Sequence, residues 1–413
     1  MYKVLIVGAN FINKGAQSML FITMDEIRRR MPDAEIYFAT FEGGIDTKQY
    51  RFKTVYYSPQ AVSIALSPYS RAKVTLQAHI KNTVKWVAGS KYRKYRVPVG
   101  RFTELAELIS EINLVIDISG FGLGAKWGIE GSEQYLNNIR LARKYSIPML
   151  LMPQSFGPFD YSGKKSRQIV DDIREVLQYP QKIFAREIQG YNILTNEIGL
   201  NNVVMSCDLV LQNQGVKYDN IFCEEYSPAD LTLPTRGNVA VIPNVQCFRH
   251  GNRKFIFELY KAIIEQLRKR NKIVYIVSHA TEDMEICGQI KDLFAGEKNV
   301  HLYPNDLSCL EFDGFVKEFD YIICSRFHGA VHAYRNRIPC IILGWAIKYS
   351  ELSKAVGQEK YCFDITSTEE GLQEAILDRI CRMDEVYIKE TENIAAHLSV
   401  IRSENCFDSL DLR

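Results

Sequence analysis

The chain has 413 residues, of which 46% are hydrophobic and 24% charged, a balance that suits a folded globular protein and excludes a disordered one. One core stops growing at about 250–300 residues, so two domains are expected. The net charge of +2 provides no global field that would select nucleic acid or another polyanion.

The first half alternates strand and helix patterns. Val4–Gly8 is a short apolar run, read as a buried strand. Residues Gly15 to Met31 place Met19, Leu20, Ile22, Met24 and Ile27 at helical spacing. They end in Arg28-Arg29-Arg30, which suits the negative end of a helix. Ile36–Thr40 reads as a second strand. From Thr47 to Thr103 there is no Asp or Glu, and twelve Lys and Arg residues are interleaved with aromatics. This stretch (47–103) is expected to be a basic insert with an amphipathic helix over Tyr69–Val87. It presents either a solvated basic face or a patch for an anionic membrane surface or a lipid-linked pyrophosphate. Strand Leu114–Ile118 leads into Ser119-Gly-Phe-Gly-Leu-Gly124, followed by helix Ser132–Tyr145 and strand Pro148–Met152. Helix Lys165–Leu177, strand Lys182–Ala185, helix Ile188–Ile198 and strand Val203–Ser206 complete a domain over 1–211.

Residues 212–238 mix Gly, Pro, Asp, Glu and Thr without a period and read as a linker. A second alternating block, 239–384, begins with strand Val239–Pro243. It continues with helix Phe255–Arg270, strand Lys272–Val277, helix Met284–Phe294, strand Val300–Tyr303 and helix Leu307–Glu318. Strand Tyr321–Cys324, helix Gly329–Asn336 and strand Cys340–Leu343 follow. Two helical stretches, Glu369–Arg382 and Val386–Ile401, close the chain, the second within a C-terminal segment over 385–413. Such alternation predicts an α/β fold of two Rossmann-like domains, with mainly parallel sheets facing a cleft.

All ten cysteines lie from Cys207 onward and none form a C-x-x-C pair. Met1-Tyr-Lys-Val-Leu5 runs directly into a strand without a signal peptide pattern. A reducing, cytoplasmic protein is expected, at most peripheral at the inner face of the membrane. No ligand spacing predicts a metal, and no apolar run is long enough to span a bilayer.

The most informative stretch is Tyr321-Ile-Ile-Cys-Ser-Arg-Phe-His-Gly-Ala330. Ser325, Arg326, Phe327 and His328 fall between the carboxyl end of a strand and the amino end of a helix, where open α/β sheets bind ligands. Free N–H groups and the positive helix end favour an anion. Arg326 adds a forked charge, and His328 a group that moves protons near neutral pH. A small phosphorylated or carboxylated substrate is expected. His332, one turn on, is read as structural.

Several elements, in this order, resemble the polysaccharide pyruvyl transferase family. They are Gly8-Ala-Asn10 with Gly15-Ala-Gln17, Asp117-Ile-Ser-Gly-Phe-Gly-Leu-Gly124, Pro153-Gln-Ser-Phe-Gly-Pro158 and Phe184-Ala-Arg-Glu187. The most specific is Ser325-Arg-Phe-His328 followed by Ile338-Pro-Cys-Ile-Ile342. The first loop departs from the family, with Lys14 and Gly15-Ala-Gln17 where acidic residues are frequent. The resemblance implies two Rossmann-like domains as in GT-B glycosyltransferases, and transfer from phosphoenolpyruvate to a sugar to form a pyruvate ketal, with no cofactor. It implies a polysaccharide or lipid-linked glycan acceptor.

On that basis His328 is expected to be the general acid. Arg326 and Arg186, with Ser325, Phe327 and Gly329, are expected to hold the donor. Asn244, His279, Gly120, Gly122, Gln154 and Asn10 are further candidates for substrate binding. Asp117, Glu187, Glu282 and Asp283 are candidates for the base, and Trp127 for either sugar stacking or core packing. The competing expectation is a nucleotide-sugar-dependent GT-B glycosyltransferase with Glu351 on a ribose. A non-catalytic scaffold at the membrane is a second alternative.

Overall fold

The computed structural model describes residues 1–41, 47–67, 101–229, 231–233, 237–303, 307–367 and 370–410. The first domain runs β1 (Lys3–Val7), α1 (Lys14–Arg30), β2 (Glu35–Thr40), β3 (Lys53–Tyr56), α2 (Pro59–Leu66), α3 (Arg101–Leu108), β4 (Leu114–Asp117), α4 (Gly128–Lys144), β5 (Met149–Gln154), α5 (Ser166–Val176), β6 (Lys182–Ala185), α6 (Ile188–Asn192), β7 (Val203–Met205) and α7 (Leu209–Gln212). The second runs β8 (Asn238–Ile242), α8 (Val245–His250), α9 (Arg253–Lys269), β9 (Ile273–Ile276), α10 (Met284–Asp292), β10 (Val300–Leu302), α11 (Cys309–Phe315), β11 (Tyr321–Cys324), α12 (Phe327–Arg335), β12 (Cys340–Gly344), α13 (Lys348–Ala355), β13 (Cys362–Asp364) and α14 (Leu372–Ile401).

Both sheets are parallel, in the orders β3-β2-β1-β4-β5-β6-β7 and β10-β9-β8-β11-β12-β13. Each reverses direction beside its first strand. Val7 pairs with Asp117 at one switch point and Ile242 with Cys324 at the other. Crevices therefore open at the carboxyl ends of β1/β4 and β8/β11. The central strands are buried on both faces, which is why they read as continuous apolar runs.

The two domains share an apolar seam. Helix α1 is buried from Lys14 through Ile27, because it lies between its own sheet and the second domain. Its apolar side chains, among them Met19, Leu20 and Phe21, join one core with Phe312, Ala330 and Tyr334. Its polar side chains are satisfied across the seam. Gln17 accepts from the Cys309 amide at 2.9 Å, and Ser18 meets His332 Nε2 at 3.0 Å. Asp25 accepts from Asn220 at 2.7 Å.

Three expectations need correction. Residues 47–103 are not wholly an insert, since β3 is the edge strand of the first sheet and α3 packs against it. The Lys-Thr-Val-Tyr sequence hides this strand because its outer edge is solvated and its Lys53 pairs with Glu35. The expected helix over 69–87 lies outside the described residues. Helix α12 begins at Phe327, so His328 sits inside its first turn. The two C-terminal helical stretches form one 30-residue helix, α14. Asp384, which breaks the apolar period, is held in place by Tyr321 Oη at 2.9 Å and Lys272 at 3.2 Å. Beyond α14 the chain returns to the first domain, where Arg402 donates to the Leu211 carbonyl at 3.3 Å and Arg30 pairs with Asp408 at 2.7 Å. Among the described residues no helix is long and apolar enough to cross a membrane, and no group of His, Cys, Asp and Glu could hold a metal ion.

Candidate active site

Two helix N-termini, one from each domain, meet where the switch points face each other. Asn13 caps α1 by accepting from the Gly15 amide at 2.9 Å, and Asn10 turns the preceding loop by accepting from Asn13 N at 2.9 Å. Gly15 is required by the partner domain. A Cβ there would stand 2.1 Å from Cγ of His328, so the imidazole of α12 lies directly against the first turn of α1. Both helix ends direct positive potential at the same space.

Two basic groups, Arg186 and Lys348, stand near the imidazole. Arg186, at the end of β6, has a side chain only 3% exposed. It donates to Asp208 at 2.9 Å, to Glu187 at 2.8 Å and to Ser155 Oγ at 3.1 and 2.9 Å. Its guanidinium lies 4.5 Å from the centre of the Phe327 ring. Lys348, at the start of α13, stands over the rings of Phe327, Trp345 and Tyr349 at 5.2, 5.5 and 5.6 Å. Among the described residues its ammonium takes no hydrogen bond and no ion pair. Burial, then the nearby Arg186 and Lys126 charges, push its pKa from 10.5 down to about 7. His328 Nε2 is buried without a hydrogen-bond partner, 3.8 Å from Asp208 Oδ2. Burial, then Arg186, hold this imidazole well below its ordinary pKa, so the resting ring is neutral. The resulting recess is lined by Arg186, Asp208, Phe327, Lys348 and Glu351.

Arg326 is arranged differently. Its Nε and Nη2 grip Asp283, with a 2.6 Å contact to Oδ2, and Nη2 also reaches Glu282 at 2.6 Å. Burial works against its charge, and these two carboxylates more than restore it. Only the Nη1 edge is left without a hydrogen bond. Arg326 thus clamps the β11–α12 loop to the loop before α10, and what it can offer a ligand is that one edge.

Ser325 points into the core, with Oγ 2.6 Å from Tyr260 Oη. Its carbonyl accepts from Asn244 at 3.0 Å and from Tyr349 at 2.9 Å. Asn244 is buried and also caps α8. Gly329 allows close packing, since a Cβ would stand 2.7 Å from Cys324 Sγ. His279 is buried against Phe312, and its carbonyl accepts from Lys14 Nζ at 3.0 Å. His332 is fully buried between Ser18 and Asp313 Oδ1, the latter at 2.9 Å, a carboxylate whose nearness the sequence does not reveal. In the first domain Gln154 accepts from Tyr135 at 3.1 Å inside the core, and Asp117 is buried with its pKa raised by burial to about 6. Gly120 sits at φ 68°, and a Cβ there would stand 4.0 Å from Arg186 Nη1. Gly122 leaves room for the Tyr135 ring. Trp127 is half exposed and edge-on to Phe121 at 5.7 Å.

The structure therefore brings His328, Arg186 and Phe327 together, with Gly120 near Arg186, while Arg326 is held in its clamp with Asp283 and Glu282. It places the side chains of Ser325, Asn244, Gln154 and His332 in supporting positions. Sequence reasoning missed Lys348 and Asp208. The signal for Lys348 was its place a few residues beyond the end of a buried strand, in Leu343-Gly-Trp-Ala-Ile-Lys348. Glu351, singled out for a ribose, instead accepts from the Ile188 amide across the cleft at 3.4 Å.

A family model described as polysaccharide pyruvyl transferase matches residues 13–346, well over half of the chain. A search among curated proteins gave no match. Solved structures with a similar fold include the S. aureus MnaA–UDP complex (TM-score 0.55, 12% identity, covering 95% of this chain and 91% of that one). UDP-GlcNAc 2-epimerase from Methanocaldococcus jannaschii is also similar (0.51, 12%, 92% of each). So is a glycosyltransferase from Rickettsia africae (0.52, 11%, 100% and 99%). At such identities the likeness concerns the fold alone, which is that of the GT-B glycosyltransferases and epimerases.

Proposed function

This chain belongs to the polysaccharide pyruvyl transferase family, and from that membership we propose that it transfers the three-carbon unit of phosphoenolpyruvate to a glycan sugar, forming a pyruvate ketal. The observation that carries the proposal is the unpaired Lys348 ammonium beside Arg186 and His328, between two helix N-termini. A half-buried cation without a counter-ion costs stability unless an anion arrives. Phosphoenolpyruvate carries about three negative charges on a small frame and would satisfy the lysine, the Nη1 edge of Arg326 and the amides of α12 together, beside the Arg186 charge.

The chemistry follows from protonation. A bound multianion near His328 raises its pKa and gives the ring a proton to deliver. That proton goes to the methylene carbon, leaving C2 electron-poor and stabilised by the neighbouring oxygens. One sugar hydroxyl adds to C2 and gives up its proton. Phosphate leaves with its bridging oxygen, and a second hydroxyl closes the ketal. Of the two hydroxyl protons, one restores His328 and the other ends on phosphate. Asp208, 3.8 Å from His328 Nε2, is placed to orient the charged ring. The acceptor is a sugar of a polysaccharide or of a lipid-linked glycan precursor, and the basic stretch within residues 47–103 offers a route to peripheral membrane contact.

Phosphate release from phosphoenolpyruvate, measured against a panel of glycan acceptors with mass spectrometry of the product, tests this reading. Acceptor-dependent release that His328→Ala abolishes supports it. Stabilisation by UDP and not by phosphoenolpyruvate would point to a nucleotide-sugar transferase instead.

A further inference from the structure

A second recess lies at the other end of α12, where the chain crosses between the domains. It measures about 420 Å³ and is bordered by linker residues 214–216, Lys317, Arg335, Arg337 and Arg402, with Asp313 as its carboxylate. Nine residues of helix separate it from the cleft, roughly 13 Å at 1.5 Å per residue. We propose that this crossover recess binds a compact phosphoester anion, such as a diphosphate-bearing metabolite.

The charge count motivates the proposal. Four cations border the recess against one carboxylate, and that carboxylate is already committed. Asp313 accepts from His332 at 2.9 Å, from Asn336 at 2.8 Å and from Arg335 at 2.7 Å. Arg402 spends its hydrogen bonds on neutral acceptors, the carbonyls of Leu211, Asn213 and Arg335, so its charge has no counter-ion. Burial, then Arg335 and Arg337, lower its pKa from the ordinary value. Arg337 and Lys317 are exposed, and their side chains make no hydrogen bond or ion pair among the described residues.

The backbone adds a second observation. Arg337 occupies the left-handed position that ends α12, at φ 64°, with its amide bonded to Tyr334 O at 2.8 Å and the next amide to Ala333 O at 2.9 Å. Glycine is the usual residue there, because a side chain at positive φ costs about 1 kcal/mol. Here the strained position carries a guanidinium at the rim of a cationic recess. The C-terminal half-charge of α12 opposes an anion and attracts these arginines, but it is smaller than the excess of side-chain charge. A polar recess of this volume matches a diphosphate with a small organic group, not an extended polymer.

The inference is independent of the chemistry proposed for the cleft, and inorganic diphosphate is the probe. In a thermal-shift titration, millimolar diphosphate is expected to raise the melting temperature of the wild type and of Lys348→Met alike, by about 2 °C. The double variant Lys317→Glu/Arg337→Gly, at two exposed positions without partners, is expected to lose that rise. Arg337→Gly alone is expected to melt higher than wild type without ligand, since glycine relieves the strain, and to respond less to diphosphate. An undiminished response in the double variant would overturn the proposal, as would no response in the wild type. Co-sedimentation with phosphatidylglycerol vesicles, lost in the double variant and without any diphosphate shift, would assign the phosphate to lipid and overturn the soluble ligand.

Discussion

Replacing Lys348 by Met separates stability from ligand binding in opposite directions. Met keeps an apolar side chain of similar length beside Phe327, Trp345 and Tyr349 and removes the ammonium that stands over their rings. A fall in pKa from 10.5 to about 7 corresponds to about 5 kcal/mol at ~1.4 kcal/mol per tenfold change, if the group were fully desolvated. The side chain retains some exposure to water, which screens the penalty to about 1–2 kcal/mol. The folded pKa lies below the unfolded one, so the unfolded chain binds the proton more tightly. The penalty is complete below about pH 7, shrinks as the pH rises, and vanishes above 10.5. Lys348→Met is therefore expected to melt about 2–4 °C above wild type at pH 6 and to match it near pH 10.5. It is also expected to lose stabilisation by phosphoenolpyruvate and at least 100-fold in turnover, since the loss falls on a buried charge contact to the donor. Differential scanning fluorimetry at pH 6, 8 and 10, with and without phosphoenolpyruvate, checks both halves. A variant that melts below wild type at pH 6, or that keeps the full ligand shift, refutes the reasoning.

Gly15→Ala is expected to lower stability by about 1–3 kcal/mol and to reduce turnover, because the new methyl overlaps the His328 ring and the two domains must part slightly. Chemical denaturation and steady-state kinetics measure the two effects. Asp313→Ala is expected to cost about 3–5 kcal/mol, since it strands buried His332 and Arg335, while kcat of the surviving enzyme changes little. Burial would raise the Asp313 carboxyl, but His332 and Arg335 outweigh it and hold it below its ordinary 3.8. Its contribution is present above that pH and fades in acid, so wild-type and variant stabilities should converge there. Arg186→Lys keeps the charge and loses the fork that serves Ser155, Glu187 and Asp208. The expected result is a lower melting temperature and a rise of about tenfold in the KM for phosphoenolpyruvate.

Much of this molecule was written in local pattern. The apolar runs at 4–8, 114–118, 239–243 and 321–324 lie within a residue or two of β1, β4, β8 and β11, because parallel strands covered on both faces admit few polar residues. Strand–helix alternation then determined two Rossmann-like sheets. The Ser-Arg-Phe-His segment landed at a switch point because its strand is the one that pairs with β8. Two of the four edge strands, β3 and β13, stayed hidden, since a short strand with a solvated edge carries little periodic signal.

Only the tertiary structure decided how charge is distributed. Sequence places Arg186 and Arg326 at strand ends but says nothing of Asp208, Glu282 or Asp283 arriving from other loops to occupy them. Sequence also places Lys348 a few residues beyond the end of a buried strand but says nothing of its lack of a counter-ion. An ammonium becomes exceptional through what surrounds it, here three rings, a neighbouring guanidinium and, among the described residues, no carboxylate in contact. Those neighbours come from separate stretches of chain, so the property exists only once the two domains have closed on each other.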